Sequence, residues 1–284
     1  MKKVLLHAHI FYPELWPQIA TCIENCHAIA QDGLHVVASC PESKPDLKTL
    51  VDRALEGISH EVHAVPNRGY DIGPFMVYVV NRPDLADYDY VVKIHTKRDC
   101  DTFLHFHRIT GSDWRNNLLS FCSTPKAMAR SFAAFERDAR LGMIADRRIT
   151  SRGGFEYFKE DIALIRSYVT DLGLTPREAT FVYGTMFMVR AKLLLPLANR
   201  VTLNDFPLTT EKSAHIDQGL TTQLEKLFGA VVSAQGSLVS NGRLPYSLAS
   251  LDAKCIYLFC RTVRTLHILV DKLRICGNKT QSGF

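Results

Sequence analysis

Long apolar runs, paired-cysteine motifs and glycine-rich phosphate loops are all missing from this 284-residue sequence. Behind Lys2 and Lys3 only Val4-Leu5-Leu6 is apolar before histidines intervene, so no secretory leader is expected. The eight cysteines form no CxxC pair and no dense cluster, a usage that reads as reduced thiols of a cytosolic protein. Cys22/Cys26 and Cys255/Cys260 fall in helical patterns and read as packing residues. No Gly-x-x-x-x-Gly-Lys-Ser/Thr loop occurs, which argues against a nucleotide-dependent phosphotransferase. His7/His9 and His105/His107 would share a face in extended chain, but no carboxylate or cysteine beside them completes a zinc set. Internal repeats and low-complexity linkers are also absent. The simplest division is one domain over residues 1–242 and a tail over residues 243–284.

What is present suits a globular protein with a large core: 46% hydrophobic and 22% charged residues. The net charge of +5 is unevenly placed. From Asp252 onward six basic residues stand against two acidic ones, which puts +4 on the tail and only +1 on the body. A body so nearly neutral is not that of a nucleic-acid-binding protein. In the tail, Ile256, Phe259, Val263, Leu266, Val270 and Leu273 recur every three or four residues, with Lys254, Arg261 and Lys272 on the other face. Arg261 and Arg264 interrupt the run, so it does not span a bilayer. Such a basic amphipathic helix suits an anionic membrane surface and, equally, docking on the domain.

Along the body, Lys3–Phe11 reads as a strand, and Ile19, Cys22, Ile23, Cys26 and Ile29 mark one face of a helix. Leu34–Ser39 is a second strand, Pro45–Leu55 a second helix, and Glu61–Val65 and Tyr88–Ile94 further strands. This alternation predicts parallel βαβ units. Cys100–Asp113 is too irregular to assign. Trp114–Phe121, Pro125–Arg137 and Glu160–Leu172 read as helices and Leu141–Ala145 as a short strand. Thr180–Val189 reads as one buried strand interrupted by Gly184-Thr185. A helix from about Asp217 to Phe228, ended by Gly229, and a last strand at Ala230–Ala234 complete the pattern.

Two charge-rich loops follow buried strands, where a ligand site at the carboxyl edge of an α/β sheet is expected. In the first, Asn67–Phe75, Gly69 and Gly73 permit angles or close approaches that a side chain blocks. Asn67 and Asp71 can fix a turn or meet a base or ribose, and Arg68 can neutralise a phosphate. The second loop offers Lys93, His95, Lys97 and Arg98. A metal site at such a strand end would need acidic ligands. Cations can instead stabilise a departing diphosphate directly, so no metal or other cofactor is expected to be required. Gly184-Thr185 marks a close approach of ligand or backbone, with Thr185 able to bond a sugar hydroxyl.

Taken in order, Asn67-Arg68-Gly69-Tyr70-Asp71-Ile72-Gly73-Pro74-Phe75, Lys93-Ile94-His95-Thr96-Lys97-Arg98, Trp114-Arg115 and Gly184-Thr185-Met186-Phe187-Met188-Val189-Arg190 resemble the rhamnan synthesis protein F family of surface-polysaccharide assembly. The opening His9-Ile10-Phe11-Tyr12-Pro13-Glu14-Leu15-Trp16 is similar to that family's start, and the likeness runs from about Lys3 to Phe228. It implies an α/β, glycosyltransferase-A-like, Rossmann-type domain with a mostly parallel central sheet. It further implies transfer of rhamnose from dTDP-rhamnose, a nucleotide-sugar donor, to a glycan or lipid-linked acceptor. Cysteine usage and the basic tail, and not the resemblance, give the expected place: the cytoplasm, with the tail able to hold the chain on the inner face of the cell membrane. His9, Asn67, Arg68, Gly69, Asp71, Lys93, His95, Lys97, Gly184 and Thr185 are the expected donor-binding residues.

Inverting transfer needs one base for the acceptor proton. Asp217, at the start of a late helix, is the expected catalytic residue, with Glu211 as runner-up. In the family's late helix an aspartate, a histidine and a Glu-Arg pair follow one another. Here Asp217, Glu225 and Lys226 match the first and last, but Thr222 replaces the histidine, and His215 lies two residues before Asp217. The alternative is a non-catalytic carbohydrate- or nucleotide-binding scaffold protein of the same assembly machinery.

Overall fold

Strand and helix alternate through the first half as the apolar patterning predicts. The computed structural model describes residues 2–99, 102–104, 107–109, 111–146, 150–152, 159–177, 180–209 and 219–240. It opens with β1 (Val4–His9), α1 (Trp16–Ala30), β2 (Leu34–Pro41), α2 (Pro45–Ala54) and β3 (Ser59–Val65). All of β1 is buried, as a strand covered on both faces must be. α1 turns Ile19, Cys22, Ile23 and Cys26 inward, the stripe its 3–4 spacing predicts. A short α3 (Ile72–Phe75) runs into a π-helical turn, Met76–Val80, before β4 (Tyr90–His95).

β5 (Thr102–Leu104) and β6 (His107–Ile109) form a small antiparallel pair in the stretch whose pattern is too irregular to assign. Next come α4 (Asp113–Leu119) and α5 (Pro125–Arg137), the latter capped by Thr124, whose Oγ1 accepts the Ala127 N–H at 3.1 Å. β7 (Leu141–Ile144), β8 (Thr150–Arg152), α6 (Lys159–Asp171), β9 (Thr180–Val182), β10 (Phe187–Arg190), α7 (Gly219–Ala234) and β11 (Leu238–Ser240) follow.

Among the described residues seven strands make one sheet in the order β11-β7-β10-β4-β1-β2-β3. Every neighbouring pair is parallel except those of β10, which runs antiparallel to both β4 and β7. The observed class is therefore the expected one, α/β with a mostly parallel central sheet. β10 enters the sheet at the edge where the others leave it, so the turn before it joins the loops that follow β1, β3 and β4. On one face of β4, Tyr90 packs on Phe132 and Phe135 of α5, at centroid distances of 5.6 and 5.0 Å. On the other, Phe75, Phe187 and Phe228 meet at 5.5 to 6.0 Å and bind α3, β10 and α7 together.

Three expectations need correction. Thr180–Val189 is not one strand: β9 pairs with β8 in a separate two-stranded sheet, and only β10 joins the main sheet. Gly229 does not end its helix. A Cβ there would lie 1.9 Å from the Thr180 carbonyl oxygen, so glycine lets the middle of α7 approach the β9 backbone. Residues Ala230–Ala234 continue that helix instead of forming a strand, because Ala230, Val231, Val232 and Ala234 are buried as its inner face. The tail, and with it the boundary between residues 242 and 243, lies outside the described residues.

Candidate functional site

Five separated segments meet at the carboxyl edge of the parallel strands and enclose a cavity of about 780 Å³. β1 and its extension bring His9, Phe11 and Tyr12; the loop after β3 brings Asn67, Tyr70, Asp71 and Ile72; β4 and its extension bring His95, Thr96, Lys97 and Arg98. Gly184 and Thr185 come from the turn into β10, and Thr221, Thr222 and Glu225 from the first turns of α7, with Thr209 beside them. Thr96 fastens two of these segments, since its Oγ1 accepts the N–H groups of Phe11 at 2.9 Å and Tyr12 at 3.1 Å. At the rim, Arg98 lies 4.5 Å over the Tyr12 ring and Lys44 lies 4.8 Å over that of Phe11.

The floor follows from strand periodicity. His7 is registered with Lys93 and His9 with His95 on adjacent parallel strands, so all four side chains fall on one face. His9 Nδ1 is 2.9 Å from Ser39 Oγ, which lies 3.2 Å from His7 Nε2. Burial lowers His7 and His95 well below the usual imidazole range and lowers His9 to about 4. These rings are neutral at pH 7. Lys93 is fully buried, and its ammonium donates to the Asp71 carboxylate, to Thr185 Oγ1 at 2.8 Å and to the Thr185 carbonyl at 3.1 Å. Thr185 in turn donates to Asp71 Oδ2 at 2.6 Å.

Burial by itself would raise Asp71, but His95, Lys93 and the Thr185 hydroxyl hold it well below the carboxylate range. Of these neighbours Lys93 carries the charge, because His95 is neutral. His95 Nδ1 is 3.3 Å from Asp71 Oδ2 without the geometry of a hydrogen bond.

The structure thus gathers His9, Asn67, Asp71, His95, Lys97, Gly184 and Thr185 on one cavity. Asn67 also clasps the wall opposite: its carbonyl accepts the Thr209 N–H at 2.8 Å and its amide donates to the Thr209 carbonyl at 3.1 Å. Three expected residues, Lys93, Arg68 and Gly69, are not in its lining. Lys93 has all three donors occupied and stands behind the wall, not on a diphosphate. Arg68 donates to the Phe206 carbonyl at 2.6 Å and forms a bridge with Leu208, so it braces the loop. Gly69, at φ +67°, turns that loop against the Phe206 ring. Asp217 and the runner-up Glu211 lie outside the described residues.

Glu225, which the sequence marks only as a match to the family's late helix and gives no role, is a carboxylate of this cavity. Thr221, Thr222 and Glu225 share a helix face, but which face meets the cavity depends on the Gly229 approach to β9. Glu225 Oε1 accepts the Gly184 N–H at 2.5 Å. Burial raises its pKa and Asp71 adds to that, while the Gly184 bond, Lys97 and Lys93 oppose. The remaining cations on the wall are Lys97, half-buried, and Arg98, exposed, which suit an anionic ligand. A divalent cation fits less well. Asp71 already shares its oxygen with an ammonium, and among the described residues no group of three or more His, Cys, Asp or Glu side chains is arranged to hold a metal ion.

Comparison with known proteins adds three findings. The family profile described as rhamnan synthesis protein F matches residues 1–237. Two curated relatives, each an uncharacterised protein WxcX from strains B100 and ATCC 33913 of Xanthomonas campestris pv. campestris, are 28% identical over 189 residues. That alignment covers 65% of this chain, which spans about a quarter (25%) of the length of those relatives. Among solved structures, core-mannan synthase A from Aspergillus fumigatus in its Mn/GDP form aligns with 83% of this chain and 69% of its own. At 8% identity and a TM-score of 0.36 that likeness supports no argument.

Proposed function

This chain belongs to the rhamnan synthesis protein F family, and from that premise we propose that it is a glycosyltransferase. It moves a sugar, rhamnose in our reading, from a nucleotide donor such as dTDP-rhamnose to a glycan or lipid-linked acceptor of a surface polysaccharide. One observation carries the reading: a cavity of about 780 Å³ at the carboxyl edge of the parallel strands, polar and cationic on one side. Its volume is within the range of small-ligand sites. Asn67, Thr209, Thr221 and Thr222 offer the neutral donors and acceptors that sugar hydroxyls and a ribose need. Lys97 and Arg98 provide charge for the departing diphosphate, the task a metal performs in other enzymes. Thr222, which replaces the family's histidine, falls on this wall, so the departure bears on the substrate and not on distant packing.

Calorimetry of dTDP binding, with EDTA present throughout, tests the cationic wall. We expect saturable binding by the wild type and about tenfold weaker binding by Lys97→Ala, equivalent to ~1.4 kcal/mol. Equal affinity would remove Lys97 from the site, and binding that appears only after Mn²⁺ or Mg²⁺ is added would refute a metal-free site.

A further inference from the structure

An acceptor hydroxyl must surrender its proton as its oxygen attacks the sugar. Two carboxylates among the described residues line the cavity, and their surroundings differ. Asp71 is neutralised by Lys93 and further held by Thr185, which makes it a weak base. Glu225 has no ion-pair partner among the described residues. Its one hydrogen bond among the described residues, from the Gly184 N–H, orients the carboxylate and leaves the second oxygen to the cavity that the residue lines. The charged groups that act on it come from the elements packed around it, Asp71 from the loop after β3, Lys93 from β4 and Lys97 beyond it, while the neutral His95 lines the same cavity and Lys226 is its neighbour in sequence on α7. Burial sets the balance toward a raised pKa, and a base gains strength as its pKa nears the working pH.

We propose that Glu225 is the catalytic base that accepts the proton of the acceptor hydroxyl, an inference that rests on the sugar-transfer reading above. In the step, the acceptor O–H proton passes to the free oxygen of Glu225 as the acceptor oxygen bonds to the anomeric carbon. The anomeric carbon–oxygen bond to the diphosphate breaks, and its electron pair leaves with the nucleoside diphosphate toward Lys97 and Arg98. Glu225, now neutral, returns its proton to water once product departs. Gly184 is a positioning residue here: its N–H fixes one carboxylate oxygen and so aims the other.

The test follows nucleotide release from the nucleotide sugar that most raises the melting temperature, drawn from a panel that includes dTDP-rhamnose. Glu225→Gln keeps the size and the oxygen facing Gly184. It should lower kcat by roughly 10²- to 10⁴-fold, leave dTDP affinity within about twofold, and abolish the acidic limb of the kcat/KM profile. Asp217→Asn should keep that limb. Should Glu225→Gln fold poorly, Glu225→Asp serves instead, with a slower rate and the limb retained. A limb lost in Asp217→Asn and kept in Glu225→Gln overturns the assignment. So does a wild type that transfers sugar while Glu225→Gln matches it in rate and profile. A wild type that converts no member of the panel removes the transfer reading itself, and the base assignment with it.

Discussion

At the scale of single residues, the site keeps histidine uncharged where solution chemistry would charge it in part. Burial moves His9 from an ordinary 6.5 to about 4. As pH falls below 6.5, the unfolded chain binds a proton at His9 that the folded chain refuses, so stability falls with falling pH. His9's share is fully present above pH 6.5 and declines until about pH 4. Between pH 7.5 and 5 it comes to about 2 kcal/mol, and His7 and His95 act in the same direction. Urea denaturation at the two pH values should therefore show His9→Gln losing about 2 kcal/mol less than the wild type. Equal losses would mean that His9 is already charged in the fold.

The shared face of His7 and His9 was legible from their two-residue spacing. The union of Lys93 with Asp71 was not, because β3 and β4 stand three places apart in the sheet, roughly 14 Å. Only the strand order reveals that the Asn67–Phe75 loop crosses back to β4. Without it, Lys93 reads as one more cation for a phosphate.

Elements show the same division between local pattern and tertiary contact. α1 and α5 were legible because propensity, stripe and boundaries agree. α7 was misread because glycine in its middle looks like a stop, and the contact that justifies it belongs to another element. That contact decides the sign of a substitution. Helix propensity alone makes Gly229→Ala stabilising by about 1 kcal/mol. The new Cβ, however, would stand 1.9 Å from a backbone oxygen that no side-chain rotation can move. Overpacking of this kind costs about 1–3 kcal/mol. Gly229→Ala should accordingly lower the melting temperature by a few degrees in a calorimetric scan, and a rise would show that α7 can back away from β9 without penalty.

For the whole molecule, charge separates what the fold does from what surrounds it. The body is close to neutral while the segment from Asp252 onward carries +4. Among the described residues no helix is long and apolar enough to cross a membrane. Separately, from the sequence pattern of the tail alone, we propose that its basic residues attach the chain to an anionic membrane surface. Sedimentation with liposomes containing a third anionic lipid should pellet the full chain, and removing residues after Asp252 should abolish this. Retention by the truncated chain, or none by the full one, would leave the tail's charge without that role. Fold class and loop positions were legible at this scale from βα alternation alone. The reversed strand was not, since the residues of β10 carry no mark of direction.

That reversed strand divides the site into parts that can change over generations at different speeds. Because β10 starts where β4 ends, Thr185 comes within reach of both Lys93 and Asp71. Each member of this trio satisfies the others, and a single replacement strands the remaining two. Change in the floor must therefore come in concert, through intermediates that pass poorly through selection. Thr209, Thr221, Thr222 and Arg98 on the wall owe no such debt to one another. A lineage can alter them singly and so change what the cavity accepts above an unaltered floor.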